Sequence, residues 1–149
     1  MRKNFTIYFE DGLPKGTAQQ KGVAIRYKNG TPYIQHYKKA NVDAARTEFV
    51  YRLGKYAPAM PSEKPVRLMI WVCFDVKNRN LWGKYKTTRP DCDDWAKEFI
   101  DALGEVGFFL DDSQVVDLRV VKTYAEKASV SVQIEDLGAI NKIKGAEYD

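Results

Sequence analysis

Apolar and polar positions alternate over residues 4–10, the two-residue period of a strand with one face in a core. The same period predicts strands over residues 23–27 and 31–37. Between them stands Asn29-Gly30, a dipeptide suited to the left-handed conformations of a tight hairpin turn. Residues 11–22 hold Gly12, Pro14 and Gly16 and read as a loop. From residue 42 the period lengthens. Ala45, Phe49, Leu53 and Tyr56 recur at helical spacing, with Asn41 placed to cap the helix. Three prolines make residues 58–65 a connector, and residues 66–76 (VRLMIWVCFDV) form a long apolar, β-branched run that predicts a central strand. Pro90 then sets up a second helix. Asp91 or Asp93 can cap it, Trp95, Phe99, Ala102 and Leu103 form its apolar stripe, and Gly104 stands where a C-cap glycine is expected. Residues 115–124 and 128–134 alternate again as two closing strands, and a loosely ordered tail is expected from Gly138. The pattern predicts one α+β domain over residues 1–149, a mixed sheet with about two main helices packed on it.

Composition agrees with a folded domain: 44% of the 149 residues are apolar and 19 are aromatic. The N-terminus lacks the apolar run of a signal peptide, and no segment reaches the roughly 20 apolar residues of a membrane span, so a soluble, cytoplasmic protein is expected. Cys73 lies in the apolar run and reads as a small buried residue. Cys92 stands between two acids, where negative charge opposes thiolate formation. With His36 as the single histidine, no Cys/His spacing points to zinc.

Charge changes the picture more. The chain carries +4, yet residues 87–112 carry −6, with eight acids against Arg89 and Lys97. Everything else carries +10, with 22 basic residues against 12 acidic ones. Carboxylates at close range disfavour joint ionisation. A hard divalent cation such as Mg²⁺, which takes oxygen ligands, relieves that repulsion. On a helix, Asp93, Lys97 and Asp101 share one face, away from Trp95 and Phe99, with Asp91 just ahead of them. Gly107-Phe108-Phe109-Leu110 is an apolar approach that can carry Asp111 and Asp112 back toward Asp91 and Asp93. Each part also has a plain structural reading: an exposed ion-pair ladder, a helix cap, and a turn at Asp111-Asp112-Ser113. A calcium-binding EF-hand loop is excluded, because Ala96 and Ala102 stand where its glycine and closing glutamate belong.

Ahead of the acids, residues 77–89 (KNRNLWGKYKTTR) hold five bases and no acid. Lys77, Arg79, Lys84, Lys86 and Arg89 can meet phosphates, and Trp82 and Tyr85 can stack on bases. A solvated loop with Trp82 tucked into the core is the alternative. A cationic surface around a carboxylate–metal centre is what cleavage of a polyanion requires.

Together, PDCDD, Lys97, Asp101-Ala102-Leu103, Asp111-Asp112, Gln114-Val115-Val116 and Lys122 resemble the signature of the RusA family of Holliday junction resolvases, over residues 89–136. The resemblance implies an α+β homodimer and a Mg²⁺-dependent endodeoxyribonuclease, with Mn²⁺ as a substitute metal. It implies symmetric paired nicks at four-way DNA junctions, in recombination and repair, often in phages and prophages. By position, Asp91 and Asp93 resemble the family's first pair of metal-binding acids and Asp112 its third. Lys97 resembles its active-site lysine, and Asp111 matches the neighbouring acid. Position 94 departs, with Asp94 where the family usually has asparagine. A nucleic-acid-binding module with a structural acidic cluster is the reading that competes.

Overall fold

A computed structural model of the chain describes residues 1–15, 21–38 and 40–138, the side chains of 21–22 and 36–43 excepted. The expected tail, the middle of the 11–22 loop and the His36 side chain lie outside the described residues. The elements run β1 (Arg2–Phe9), β2 (Lys21–Lys28), β3 (Thr31–Lys38), α1 (Ala40–Leu53), β4 (Val66–Asp75), α2 (Cys92–Glu105), β5 (Val115–Ala125) and β6 (Ala128–Asp136). This is the expected α+β class. Among the described residues no helix is long and apolar enough to cross a membrane.

The main sheet has the order β1-β6-β4-β5, and among the described residues β2 pairs only with β3, as a separate ribbon. β4 is central, as its continuous apolar run predicts. The closing strands do not pair with each other. β5 lies parallel to β4 on one side and β6 antiparallel to it on the other, joined by Glu126 and Lys127. A bulge at the start of the β4–β5 ladder leaves Val116 without a partner residue.

Even-numbered β4 residues Val66, Leu68, Ile70 and Val72 are buried with Val130, Val132 and Ile134 of β6 and Ile7 and Phe9 of β1. Against this face pack Phe49 and Leu53 of α1 and Trp95, Phe99, Ala102 and Leu103 of α2. Phe49 sits at the centre, edge-on to Phe9, Trp95 and Phe99 at 6.1, 5.6 and 5.2 Å. Among the described residues no helix covers the opposite face, which holds polar pairs such as Thr6 with Ser131 at 2.8 Å and Arg67 between Asp117 and Glu135. Cys73 points to that face, half-buried beside Thr123, because odd β4 positions face away from the helices. It is not the core residue its apolar neighbours imply.

The end of α2 also differs from expectation. Gly104 lies inside the helix and Val106 is the C-cap. Gly107, at φ 93°, takes the left-handed position that a Cβ disfavours. Gly107 N–H donates to the Gly104 carbonyl and Phe108 N–H to that of Leu103, each at 3.1 Å, the paired bonds of a Schellman motif. A Cβ on Gly104 would stand 3.2 Å from the Phe109 ring, so the bare backbone there lets that ring pack.

Asp136, at the end of β6, accepts hydrogen bonds from the Met1 ammonium at 2.6 Å and from the Ser62 hydroxyl. Burial pushes its carboxyl up, but these two bonds outweigh it and hold the group below its ordinary 3.8. A folded-state value below the unfolded one adds stability above the ordinary carboxylate range, lost as pH falls through the folded value. Asp136→Asn should therefore flatten the acid limb of the stability curve, read as Tm from neutral pH to about pH 3. An acid limb identical to wild type would exclude this contribution.

Candidate metal centre and substrate groove

Asp91 is the N-cap residue of α2, yet its carboxylate makes no capping hydrogen bond. Its carbonyl starts the helix instead, accepting from Trp95 N–H at 3.0 Å. The side chain is thus left exposed beside those of Asp93 and Asp94 in the first turn. One carboxylate oxygen from each of Asp91, Asp93 and Asp94 lies within 4.8 Å of the others. Among the described residues no ion pair reaches Asp91, Asp93, Asp94 or Asp112. An all-oxygen donor set, exposed at Asp91 and Asp93, half-buried at Asp94 and without a cationic partner among the described residues, fits a hard divalent cation.

Asp112 stands outside this group of three. It lines a groove between α2 and β5 together with Asp93, Lys97 and Asp101, floored by Ala96, Ile100, Val115 and Leu118. The structure therefore brings Asp91 and Asp93 together with Asp94, and brings Asp112 into the same groove as Asp93 and Lys97. Lys97 does not pair with Asp93. Its ammonium leans to Asp101 at 3.8 Å, and Arg46 of α1 holds that carboxylate from behind at 2.9 Å.

The Asp111–Asp112 turn is built by hydrogen bonds. Asp111 Oδ1 accepts from Ser113 N–H at 2.8 Å, and Gln114 Oε1 accepts from the N–H groups of Leu110 and Asp111, each at 2.9 Å. This is a capping box closing one 3-10 turn over Asp112–Gln114. The Ser113 hydroxyl, then its N–H, holds the Asp111 carboxyl below its ordinary value. Gln114 Nε2 donates to the carbonyls of Ser62 and Lys64, at 2.8 and 3.0 Å, tying the turn to the proline-rich connector. Asp111 is thereby engaged as a cap, and Asp112 is the acid that faces the groove. The Asp-x-x-Gln spacing of residues 111–114 is the sequence signal for Gln114.

The basic loop divides into anchors and free cations. Its backbone runs along the end of β5, with Gly83 N–H donating to the Tyr124 carbonyl and Lys86 N–H to that of Lys122. Trp82 is half-buried, its indole N–H bonded to the Val76 carbonyl at 2.8 Å and its ring under Arg79. Lys86 is held between the Phe74 and Tyr124 rings, its ammonium 5.1 Å from each centroid, and donates to the Thr88 hydroxyl. The Thr88 hydroxyl, with the Lys86 and Lys122 ammoniums behind it, outweighs burial and holds the Tyr124 phenol below its ordinary value. Lys77, Arg79, Lys84 and Arg89 are exposed, and Tyr85 is 72% exposed. Trp82 is therefore a fixed part of the loop, whereas Tyr85 is the aromatic open to a ligand.

Lys122 does something its position in the sequence does not reveal. On the helix side of β5, its ammonium donates to the carbonyls of Thr88 and Pro90, at 2.9 and 2.6 Å. It thus fixes the segment that delivers Asp91 to the start of α2.

The family described as endodeoxyribonuclease RusA matches residues 11–135. A protein of Lactococcus phage r1t named crossover junction endodeoxyribonuclease rusA is 27% identical over 134 residues, covering 89% of this chain and 98% of its own. The uncharacterized protein YqaN of Bacillus subtilis strain 168 is 30% identical over 139 residues, 91% of this chain and 96% of that one. Crossover junction endodeoxyribonuclease RusA of Escherichia coli strain K12 is 45% identical over 76 residues, half of this chain and 63% of its own. With a match extending from the loop after β1 to the penultimate residue of β6, this chain belongs to the RusA family of endodeoxyribonucleases.

Proposed function

We propose that the protein is a Mg²⁺-dependent endodeoxyribonuclease that resolves four-way DNA junctions by paired, symmetric nicks. The observation that carries this reading is the carboxylate group of Asp91, Asp93 and Asp94, which has no cationic partner among the described residues and borders a groove lined by Lys97 and Asp112. Asp91, Asp93 and Asp112 are the proposed metal holders, with Asp94 beside the first two. When bound, a divalent ion supplies Lewis-acid polarisation of the scissile phosphate and a more acidic water. The chain's own residues do the rest. Lys97, held by Asp101 at 3.8 Å, presents an ammonium to charge developing on the phosphate. Lys77, Arg79, Lys84 and Arg89 meet flanking phosphates, and Tyr85 offers a stacking face. A symmetric four-way substrate is matched by a two-fold homodimer with one groove per subunit. The work belongs to recombination and repair in the cytoplasm of a bacterial or phage-infected cell.

The test is cleavage of a labelled four-way junction and a matched linear duplex, with Mg²⁺, with Mn²⁺ and with chelator. Paired nicks confined to the junction and lost in chelator are expected. Binding of the junction without cutting under either metal would reduce the protein to a binding module. Lys122→Met keeps the aliphatic stem and removes both carbonyl contacts at residues 88 and 90. It should lower kcat by about tenfold to a hundredfold while junction affinity stays near wild type. An unchanged kcat would show that Asp91 does not depend on this anchor.

A further inference from the structure

We propose that the β2–β3 hairpin is a DNA-binding arm, a proposal that rests on the nuclease reading above. Residues 12–42 contain six basic residues (Lys15, Lys21, Arg26, Lys28, Lys38 and Lys39) and no acid, in a chain with 24 basic and 20 acidic residues overall. Four of the six (Lys21, Arg26, Lys28 and Lys38) fall in the two strands, and an acid-free ribbon of this charge is complementary to a polyanion.

The ribbon is also bare. From residue 23 to residue 35 every side chain is exposed except half-buried Ala24. Tyr27 is 70% exposed, Ile25 65%, Ile34 64% and Val23 59%. Neither strand joins the main sheet. A lone two-stranded hairpin is marginally stable in water, so a ribbon of this kind gains order from a surface laid against it.

Over residues 23–35 the register sorts the side chains by chemistry. Ile25 stands opposite Ile34 and Tyr27 opposite Pro32, which with Val23 makes that stretch of one face apolar, with Lys21 and Lys38 paired beyond it. Arg26 stands opposite Tyr33, Lys28 opposite Thr31 and Ala24 opposite Gln35, which makes the other face cationic and hydrogen-bonding. An apolar face alone would equally suit a protein partner. The cationic second face and the missing acids select nucleic acid. Strands of eight residues span roughly 26 Å, and a two-stranded ribbon fits the major groove, about 12 Å wide. The cationic face meets phosphates, while Tyr27 and the isoleucines meet thymine methyls or bases left unstacked where duplex arms part.

The chain ahead of the arm lies in the right place. β1 leads into it at Phe9, which pairs with Ala128 at the end of the sheet where β4 finishes. A Cβ on Gly12 would lie 3.6 Å from Asp75, the last residue of β4 before the basic loop. Residues 9–12 ahead of the hairpin, the basic loop and the carboxylates at the start of α2 thus all follow from one end of the sheet.

The experiment uses the full chain in chelator, so that binding is read without cleavage, with fluorescent four-way junction and linear duplex across a salt series. Arg26→Ala/Lys28→Ala and Ile25→Ser/Tyr27→Ala are compared with wild type, with solution mass and Tm measured for each. The charge variant should lose about tenfold in junction affinity at moderate salt and lower the salt slope by about 2. The apolar-face variant should lose affinity with the slope kept. Unchanged affinity and slope in both variants, with wild type binding and cutting the junction, would overturn the arm alone. A fall in solution mass in the apolar-face variant would overturn it in favour of a contact between copies of the chain. Wild type that binds no DNA would overturn the nuclease reading and the arm with it.

Discussion

Asp91→Asn should lose cleavage on the order of a thousandfold and keep junction affinity and Tm near wild type. The reasoning starts from the cap. At most helix N-termini an aspartate side chain bonds the first turn, and its replacement also weakens the helix. Here the Asp91 carboxylate makes no such bond, so its replacement costs the helix no capping hydrogen bond. Asparagine keeps the shape and removes one charged oxygen donor from a group whose three members lie within 4.8 Å. A metal centre supplies several kcal/mol of transition-state stabilisation, and each 1.4 kcal/mol is about tenfold in rate. Asp94→Asn provides the contrast, since it restores the residue usual in the family and should cost less than about tenfold. Single-turnover cleavage with Mg²⁺, and Mn²⁺ affinity by calorimetry, would be compared across wild type and both variants. Normal cutting by Asp91→Asn would move the chemistry elsewhere.

Arg46→Ala should destabilise the fold by about 3 kcal/mol and lower Tm by roughly 10 °C. Arg46 projects from α1 and donates to Glu98 at 2.6 Å and to Asp101 at 2.9 Å, with Glu105 at 3.7 Å. Burial works against its charge, but the Glu98 bond and the fields of the three acids outweigh this and raise its pKa. Glu98 is only 1% exposed, and its second oxygen has no partner among the described residues, so the arginine is what makes its burial tolerable. Removing the arginine leaves a buried carboxylate unpaired, which is far more damaging than replacing both partners. Arg46→Met/Glu98→Gln should therefore recover much of the loss. Thermal unfolding of the two variants decides it, and a Tm for Arg46→Ala within about 2 °C of wild type would show the buried charge to be compensated elsewhere. The same arginine steadies Asp101, which in turn steadies Lys97, so α1 supports the groove without touching it.

The fold was legible wherever a residue's role is set by its near neighbours. Asn29-Gly30 takes φ of 52° and 78° in the hairpin turn, and the apolar run of β4 is central. The acidic stretch likewise announced Asp91 and Asp93. Long-range partners were not legible. Nothing near Arg46 in sequence names Glu98, 52 residues away, and nothing around Lys122 names the carbonyls of Thr88 and Pro90. Trp82 and Lys86 look like ligand-binding groups in a basic loop, but their own tertiary contacts engage them. Gly104 and Gly107 both fit a helix end. The packing of Phe109 against the first and the left-handed backbone of the second separate their roles.

The placement of β6 has a consequence for how the chain comes together. β1 and β4 never pair with each other, and each meets β6 instead. A chain growing from its N-terminus therefore makes β1, the central strand and both helices before the strand that unites them exists. Until residue 136 emerges, one edge of β4 has no antiparallel neighbour, and β1 has no ladder at all. Assembly of this sheet is governed by contacts distant in sequence, the kind that close slowly and leave unpaired strand edges exposed meanwhile. Shortened versions that stop ahead of β6 lack the one strand that the rest of the sheet waits for.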